Sequence, residues 1–223
     1  MMKRVEHHRL KPSSPFYTML REFCHRSKNL YNHGNYLIRQ TFIEDGKWLR
    51  YGEVDRLLKA DAEYPDYREM PTAQTAQQTL RLLDKNWASF FAAIKDWKAH
   101  PEKYKGRPKL PKYKPKNGYF PLVLTNQNCK LKDGVIRFPR VFQGFTVKAI
   151  FASQPDAVFN QARIIPHGGE IDLELVYELP EVEEKADRPG TQANDLSCSR
   201  GRRSSQSTNT TTSRWLSAGA SVS

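Results

Sequence analysis

The sequence predicts an α+β fold: a helical bundle set before a small antiparallel, OB-like β-barrel, with a disordered tail at the C-terminal end. Three observations carry that expectation. Apolar residues recur at steps of three and four through much of residues 16–97, the spacing of one helix face. After Lys116 the pattern switches to period two, in short runs divided by Gly-containing turns. Beyond residue 186 the chain is crowded with Ser, Thr and Arg, and only Trp215 and Leu216 offer apolar anchors, too few to offset the entropy of ordering it.

Residues 3–10 read as a short strand with Val5 and Leu10 as its apolar members, and residues 1–12 as the N-terminal strand of the barrel. Pro12-Ser13-Ser14-Pro15 then reads as a helix start, a Ser cap followed by Pro in the first turn. From Phe16 to about Phe42 the residues Phe16, Leu20, Phe23, Leu30, Tyr31, Leu37 and Ile38 fall at helical spacing. Arg21, Arg26, Lys28 and Arg39 take the opposite face, and Asp45-Gly46 ends the helix or its loop. A shorter helix is expected over residues 52–60 with Val54, Leu57 and Leu58 inward, followed by an acidic, proline-broken loop. From Thr72 the residues Ala73, Ala76, Leu80, Leu83, Trp87, Phe90, Ile94 and Trp97 alternate steps of three and four without a miss. Such a stripe is core far more often than a cofactor box, and it predicts packing on the first long helix. Residues 13–98 thus form a helical lobe.

Residues 98–116 read KAHPEKYKGRPKLPKYKPK and join the two halves. Lys98, Lys103, Lys105, Arg107, Lys109, Lys112, Lys114 and Lys116 stand against a single acid, Glu102. Pro101, Pro108, Pro111 and Pro115 fix φ and remove backbone donors, so neither a helix nor an inner strand runs through it. Tyr104 and Tyr113 add flat faces among the cations. A stiff cationic ribbon with interleaved rings suits a polyanion whose bases stack, which is nucleic acid; a solvated basic linker is the alternative. With the ribbon set at residues 99–117, strands are expected within residues 118–124, 130–138, 145–151, 157–165 and 170–179, making residues 118–180 the barrel. Asp133-Gly134 and His167-Gly168-Gly169 are the turn signals.

The chain of 223 residues is long enough to bury a core, and its net charge of +12 favours an anionic partner. No apolar run approaches the roughly 20 residues of a spanning helix, and MMKRVEHHRLKP lacks a signal-peptide core, so a cytoplasmic protein with no membrane partner is expected. Cys24, Cys129 and Cys198 form no CxxC pair, which argues for a reducing compartment and against a structural zinc site. His7 and His8, adjacent in a strand, point to opposite faces and are expected as surface residues rather than a metal pair. No Gly-rich phosphate loop, nucleophile elbow or His/Cys cluster is visible.

Arg9-Leu10-Lys11-Pro12 precedes the first helix, and Leu30-Tyr31-Asn32 lies inside it. Trp87-Ala88-Ser89-Phe90-Phe91 leads into Gly106-Arg107-Pro108-Lys109-Leu110-Pro111-Lys112-Tyr113-Lys114. In this order, over about 180 residues, these motifs resemble the N-terminal half of TnpB proteins, the OrfB-type transposase-associated proteins of bacterial and archaeal insertion sequences. That family is similar to compact type V CRISPR effectors. The resemblance implies a recognition-lobe-like helical part and a wedge-like barrel gripping a guide-like RNA and DNA, with a RuvC-like nuclease domain downstream. Arg9, Lys11, Lys103, Lys105, Arg107, Lys109, Lys112, Lys114 and Lys116 would contact phosphates. Tyr104 and Tyr113 would stack on bases or pack on the barrel.

The family's barrel is followed by a strand near Gly-Ile-Asp-Leu-Gly, whose Asp is the first metal-binding carboxylate. Here Asp187-Arg188-Pro189-Gly190 stands in its place, so a RuvC-like domain is expected to be absent and cleavage inactive. Mg²⁺ and Zn²⁺ are expected only for a full-length family member, and no cofactor for this chain. The codons of residues 187–191, read one base later, can encode Ile-Asp-Leu-Gly. A reading-frame change is therefore one account of residues 181–223, and a native linker is the other. The alternatives for the whole are a fragment of an active endonuclease continued in another frame, or a non-functional transposon remnant. Oligomeric state is left open.

Overall fold

The helices assemble around one long rod. In the computed structural model, which describes residues 1–180, helix α1 (Tyr17–Asp45) carries Leu20, Leu30, Tyr31 and Ile38 fully buried along one side. It starts later than the serine cap predicts. Residues 11–14 first make a turn, with the Ser14 N–H on the Lys11 carbonyl at 2.9 Å, and Phe16 is the helix's first flanking residue without a side-chain cap. At the other end Gly46 takes the left-handed conformation (φ 67°) and gives its N–H to the Phe42 carbonyl, as a C-terminal glycine does. Helix α2 (Tyr51–Ala60) buries Val54 and Leu58, one turn apart. Leu57, expected inward, is 44% exposed, because on a short helix it falls about 100° round from Leu58, past the edge of the contact. Helix α3 (Ala73–Ala99) is capped by Thr72, whose hydroxyl accepts the Thr75 N–H at 3.1 Å.

Helix α3 lies against α1 along the predicted seam from Ala76 to Trp87, all buried, while Phe90, Ile94 and Trp97 are half-buried. Ala73, expected in the seam, is exposed; Thr75 and Thr79 are buried instead, and Thr79 exchanges a 2.9 Å hydrogen bond with Ser27 of α1. Gly34 lets the rods approach, since a Cβ there would stand 2.9 Å from Leu83 Cδ2 and 3.1 Å from Leu80 Cδ2.

The strands form two antiparallel sheets. Strands β1 (Met2–Leu10), β2 (Leu122–Thr125), β6 (Val158–His167) and β7 (Glu170–Leu179) make a four-stranded sheet in the order β1-β7-β6-β2. Strands β3 (Lys130–Lys132), β4 (Val135–Arg137) and β5 (Thr146–Lys148) make a three-stranded one. Neither sheet closes on itself among the described residues, so the architecture is mixed helix and open antiparallel sheet. The strand predicted at 130–138 is a hairpin folded at Asp133 and Gly134, both at positive φ. The strand predicted at 118–124 begins only at Leu122, after Pro121, which has no N–H for a ladder. The strand predicted at 145–151 stops at Lys148. The amides of Ile150 and Phe151 go instead to the Glu6 carboxylate of β1, at 2.9 and 2.7 Å.

Helices and sheet share a core. Cys24 of α1 sits against the Ile164 carbonyl of β6 and accepts the Phe120 N–H at its own carbonyl. Phe16 and Phe23 pack on Phe145 and Phe142 with ring centroids 5.1 Å apart in each case. Burial pushes the Cys24 thiol well above its ordinary pKa and the Cys129 thiol up to about 12. His7 is exposed, and His8 turns to Glu6 at 2.6 Å. No helix among the described residues is long and apolar enough to cross a membrane. The expectations for the tail, at residues 181–223, lie outside the described residues.

Candidate nucleic-acid interface

The ribbon leaves α3 through a 3₁₀ turn at Pro101–Lys103 and then runs without regular structure to Lys114. Its prolines leave it poor in N–H groups and rich in carbonyls, so it needs donors from elsewhere. Helix α1 supplies them. Arg39 and Asn35 both donate to the Pro111 carbonyl at 3.1 Å, Asn32 to the Lys114 carbonyl at 2.9 Å, and Lys28 to the Lys116 carbonyl at 2.7 Å. His25 Nε2 stands 3.3 Å from that last carbonyl. Asn32 also accepts the Lys114 N–H at 2.8 Å, so one side chain plays both parts of a strand neighbour.

Residues 25, 28, 32, 35 and 39 are spaced three, four, three and four apart, a polar stripe running parallel to the apolar one. Reading periodicity only in apolar residues misses this stripe; the same spacing test applied to donors would have found it. Lys28 is the sharpest departure from expectation. Placed on a solvent face by the sequence reading, it is 4% exposed, and burial lowers its pKa against the pull of Asp66. Asn35, fully buried, also accepts from Trp87 Nε1 at 3.0 Å, which ties the ribbon's anchor to α3.

With the backbone held from one side, most of the cations stand clear. Lys103, Lys105, Arg107, Lys109, Lys112 and Lys116 are exposed, and none has a carboxylate within ion-pair distance among the described residues. Lys114 is the exception: its ammonium lies 5.2 Å from the Tyr31 ring centre and 5.4 Å from that of Phe120. Tyr104 is half-buried with its hydroxyl donating to Asp96 at 2.6 Å. Tyr113 is 45% exposed, with the Arg39 guanidinium 5.1 Å from its ring centre. Between ribbon and α3 a cleft of about 390 Å³ is lined by Lys109, Lys112 and Lys114 together with Asn86, Ser89 and the Phe90 ring.

Arg9 and Lys11 stand elsewhere. Arg9 belongs to β1 and is neutralised by Glu170 at 3.3 Å and Asp172 at 3.4 Å on the β6–β7 hairpin. Lys11 is exposed just past that strand. Neither shares a hydrogen bond or ion pair with the ribbon. Among the described residues no group of three or more His, Cys, Asp or Glu side chains is placed to hold a metal ion. No protein-family model and no curated protein matches the chain.

Proposed function

We propose that this chain binds nucleic acid through the ribbon of residues 98–116, as the nucleic-acid-binding portion of a TnpB-like, transposase-associated RNA-guided DNA endonuclease. The observation that supports it most is the row of six exposed cations with no carboxylate within ion-pair distance among the described residues, on a ribbon whose Pro111, Lys114 and Lys116 carbonyls are held by α1, beside a cationic cleft that contains a ring face. A flexible linker would not need five helix side chains to hold its carbonyls. Rigid placement lowers the entropy lost when a polyphosphate is gripped. On this reading helices α1–α3 are the recognition-lobe-like part and the two sheets a wedge-like, OB-like barrel unit. Guide-like RNA and DNA are the partners, in the cytoplasm of a bacterium or archaeon and in association with its nucleoid. Mg²⁺ and Zn²⁺ belong to the nuclease part of the family and have no role assigned in residues 1–180.

Anisotropy titrations of the full chain with single-stranded RNA and DNA test the reading. With six phosphates contacted, affinity falls on the order of a thousandfold between about 50 and about 200 mM salt. Replacing Lys105, Arg107 and Lys109 together by Ala flattens that slope. An unchanged slope removes the ribbon from the site, and no binding at low salt ends the proposal.

A further inference from the structure

One turn before His25, the first residue of the stripe that holds the ribbon's C-terminal end, Arg21 stands in a cleft of about 430 Å³ with Tyr17, His25, Asn117 and Tyr119. Its guanidinium donates to two phenol oxygens, Tyr17 at 3.3 Å and Tyr119, and lies 5.4 and 4.8 Å from their ring centres. Tyr17 spends its own hydroxyl proton on the Gly169 carbonyl of the β6–β7 turn, which fixes its oxygen as an acceptor for Arg21. The cation is thus held in place by neutral groups. Among the described residues no carboxylate lies within ion-pair distance of it; Glu22, on the same wall, is taken by Arg26 at 3.0 Å.

A half-buried guanidinium carries five donors, of which two go to the phenols. A charge withdrawn from water and left without a counterion is costly unless an anion completes it. The cleft's walls add a flat face, the Tyr119 ring with His25 packed against it at 6.4 Å. Its volume is in the range of small-ligand sites. We propose that this cleft binds a phosphate group of a nucleotide, with Arg21 on the phosphate oxygens and Tyr119 beside the base. Such a group comes from a free nucleotide or from a nucleic-acid strand.

The two sources separate on titrating the full chain with AMP, with adenosine, with inorganic phosphate and with a short single strand. AMP is expected to bind more tightly than phosphate, and phosphate more tightly than adenosine. Arg21→Gln is expected to weaken AMP by about tenfold or more, the loss of a charge-assisted bidentate contact, while Lys148→Gln, an equal change of charge on β5, leaves it unaltered. Binding of the strand but not of AMP, still dependent on Arg21, assigns the site to nucleic acid. Phenylglyoxal modification of Arg21 in the unaltered chain, read by mass spectrometry, guards against a variant that misfolds: AMP or the strand is expected to slow it. If neither ligand protects Arg21 and the Gln variant binds both as the unaltered chain does, the proposal is overturned. Because AMP offers no strand for the ribbon to grip, this result stands whatever the salt titration of the ribbon variant gives.

Discussion

In β7 each residue from Glu170 to Leu179 pairs with β1 on one side, β6 on the other, or both, and the ladder buries Ile171, Leu173 and Leu175 completely. The ribbon is extended too, yet it joins no sheet among the described residues. Its carbonyls are met along one edge by side chains of α1, and Asn32 alone completes a two-bond pairing. The difference is chemical: prolines cannot donate to a ladder, whereas a helix can offer amide and cationic donors at any desired acceptor. It also decides what each segment has left to give. A ladder between two strands consigns alternate side chains to the core, while a segment held by its carbonyls keeps its cations at the surface.

Four experiments break or sharpen that contrast. The largest effect belongs to the sheet: Leu173→Ala is expected to lower folding stability by about 2–5 kcal/mol in urea unfolding, since Leu173 is fully buried in β7. A cost near zero would mean the sheet does not carry the core. Next comes Asn32→Ala, which strips Lys114 of both backbone partners and is expected to cost about 1–3 kcal/mol. Its signature is local, with amide exchange accelerated at Lys114 and neighbouring ribbon residues while the β6–β7 hairpin keeps its protection. Faster exchange in the hairpin alone would reverse the argument.

The third experiment is a pH titration of stability. The Cys129 thiol has an ordinary value of 9.0 and is pushed up to about 12 by burial in the fold. Above pH 9 the unfolded chain loses this proton first, so the thiol's contribution is complete below that point and is lost as pH climbs toward 12. Cys129→Ala is expected to make the alkaline decline shallower; an unchanged decline places it in other groups, such as Cys24 or Tyr67, whose pKa values are raised as well. The smallest effect lies within the ribbon itself. Lys112→Ala is expected to reduce the salt slope of nucleic-acid binding by about 0.7–0.9, and Lys114→Ala by less, because the Lys114 ammonium already rests on the Tyr31 and Phe120 rings.

What the sequence made legible follows the strength of local patterns. Helix α3 shows itself in a seam of eight apolar positions, and β7 in the alternation of Ile171, Leu173 and Leu175 with Asp172 and Glu174 beyond Gly168 and Gly169. Burial of Lys28 is invisible to such patterns, since its partner is a main-chain oxygen 88 residues away. Arg9 reads as a phosphate contact in a basic tetrapeptide, and only the pairing of β1 with β7 brings it to Glu170 and Asp172. The short β5 likewise answers to a distant residue, Glu6, rather than to its own alternation. Local propensity gives way wherever a hydrogen bond from far along the chain offers the backbone a better partner.

The pairing of β1 with β7 has a bearing on how the protein is made. Arg9 meets Asp172 across 163 residues, so on the ribosome the first strand emerges long before its ladder exists. During translation α1 and α3 have time to find each other, while residues 2–10 trail as an unpaired edge awaiting the final hairpin. A pause or truncation between α3 and β7 therefore leaves a nascent chain with a formed helical half and an open strand, the species that chaperones are built to hold.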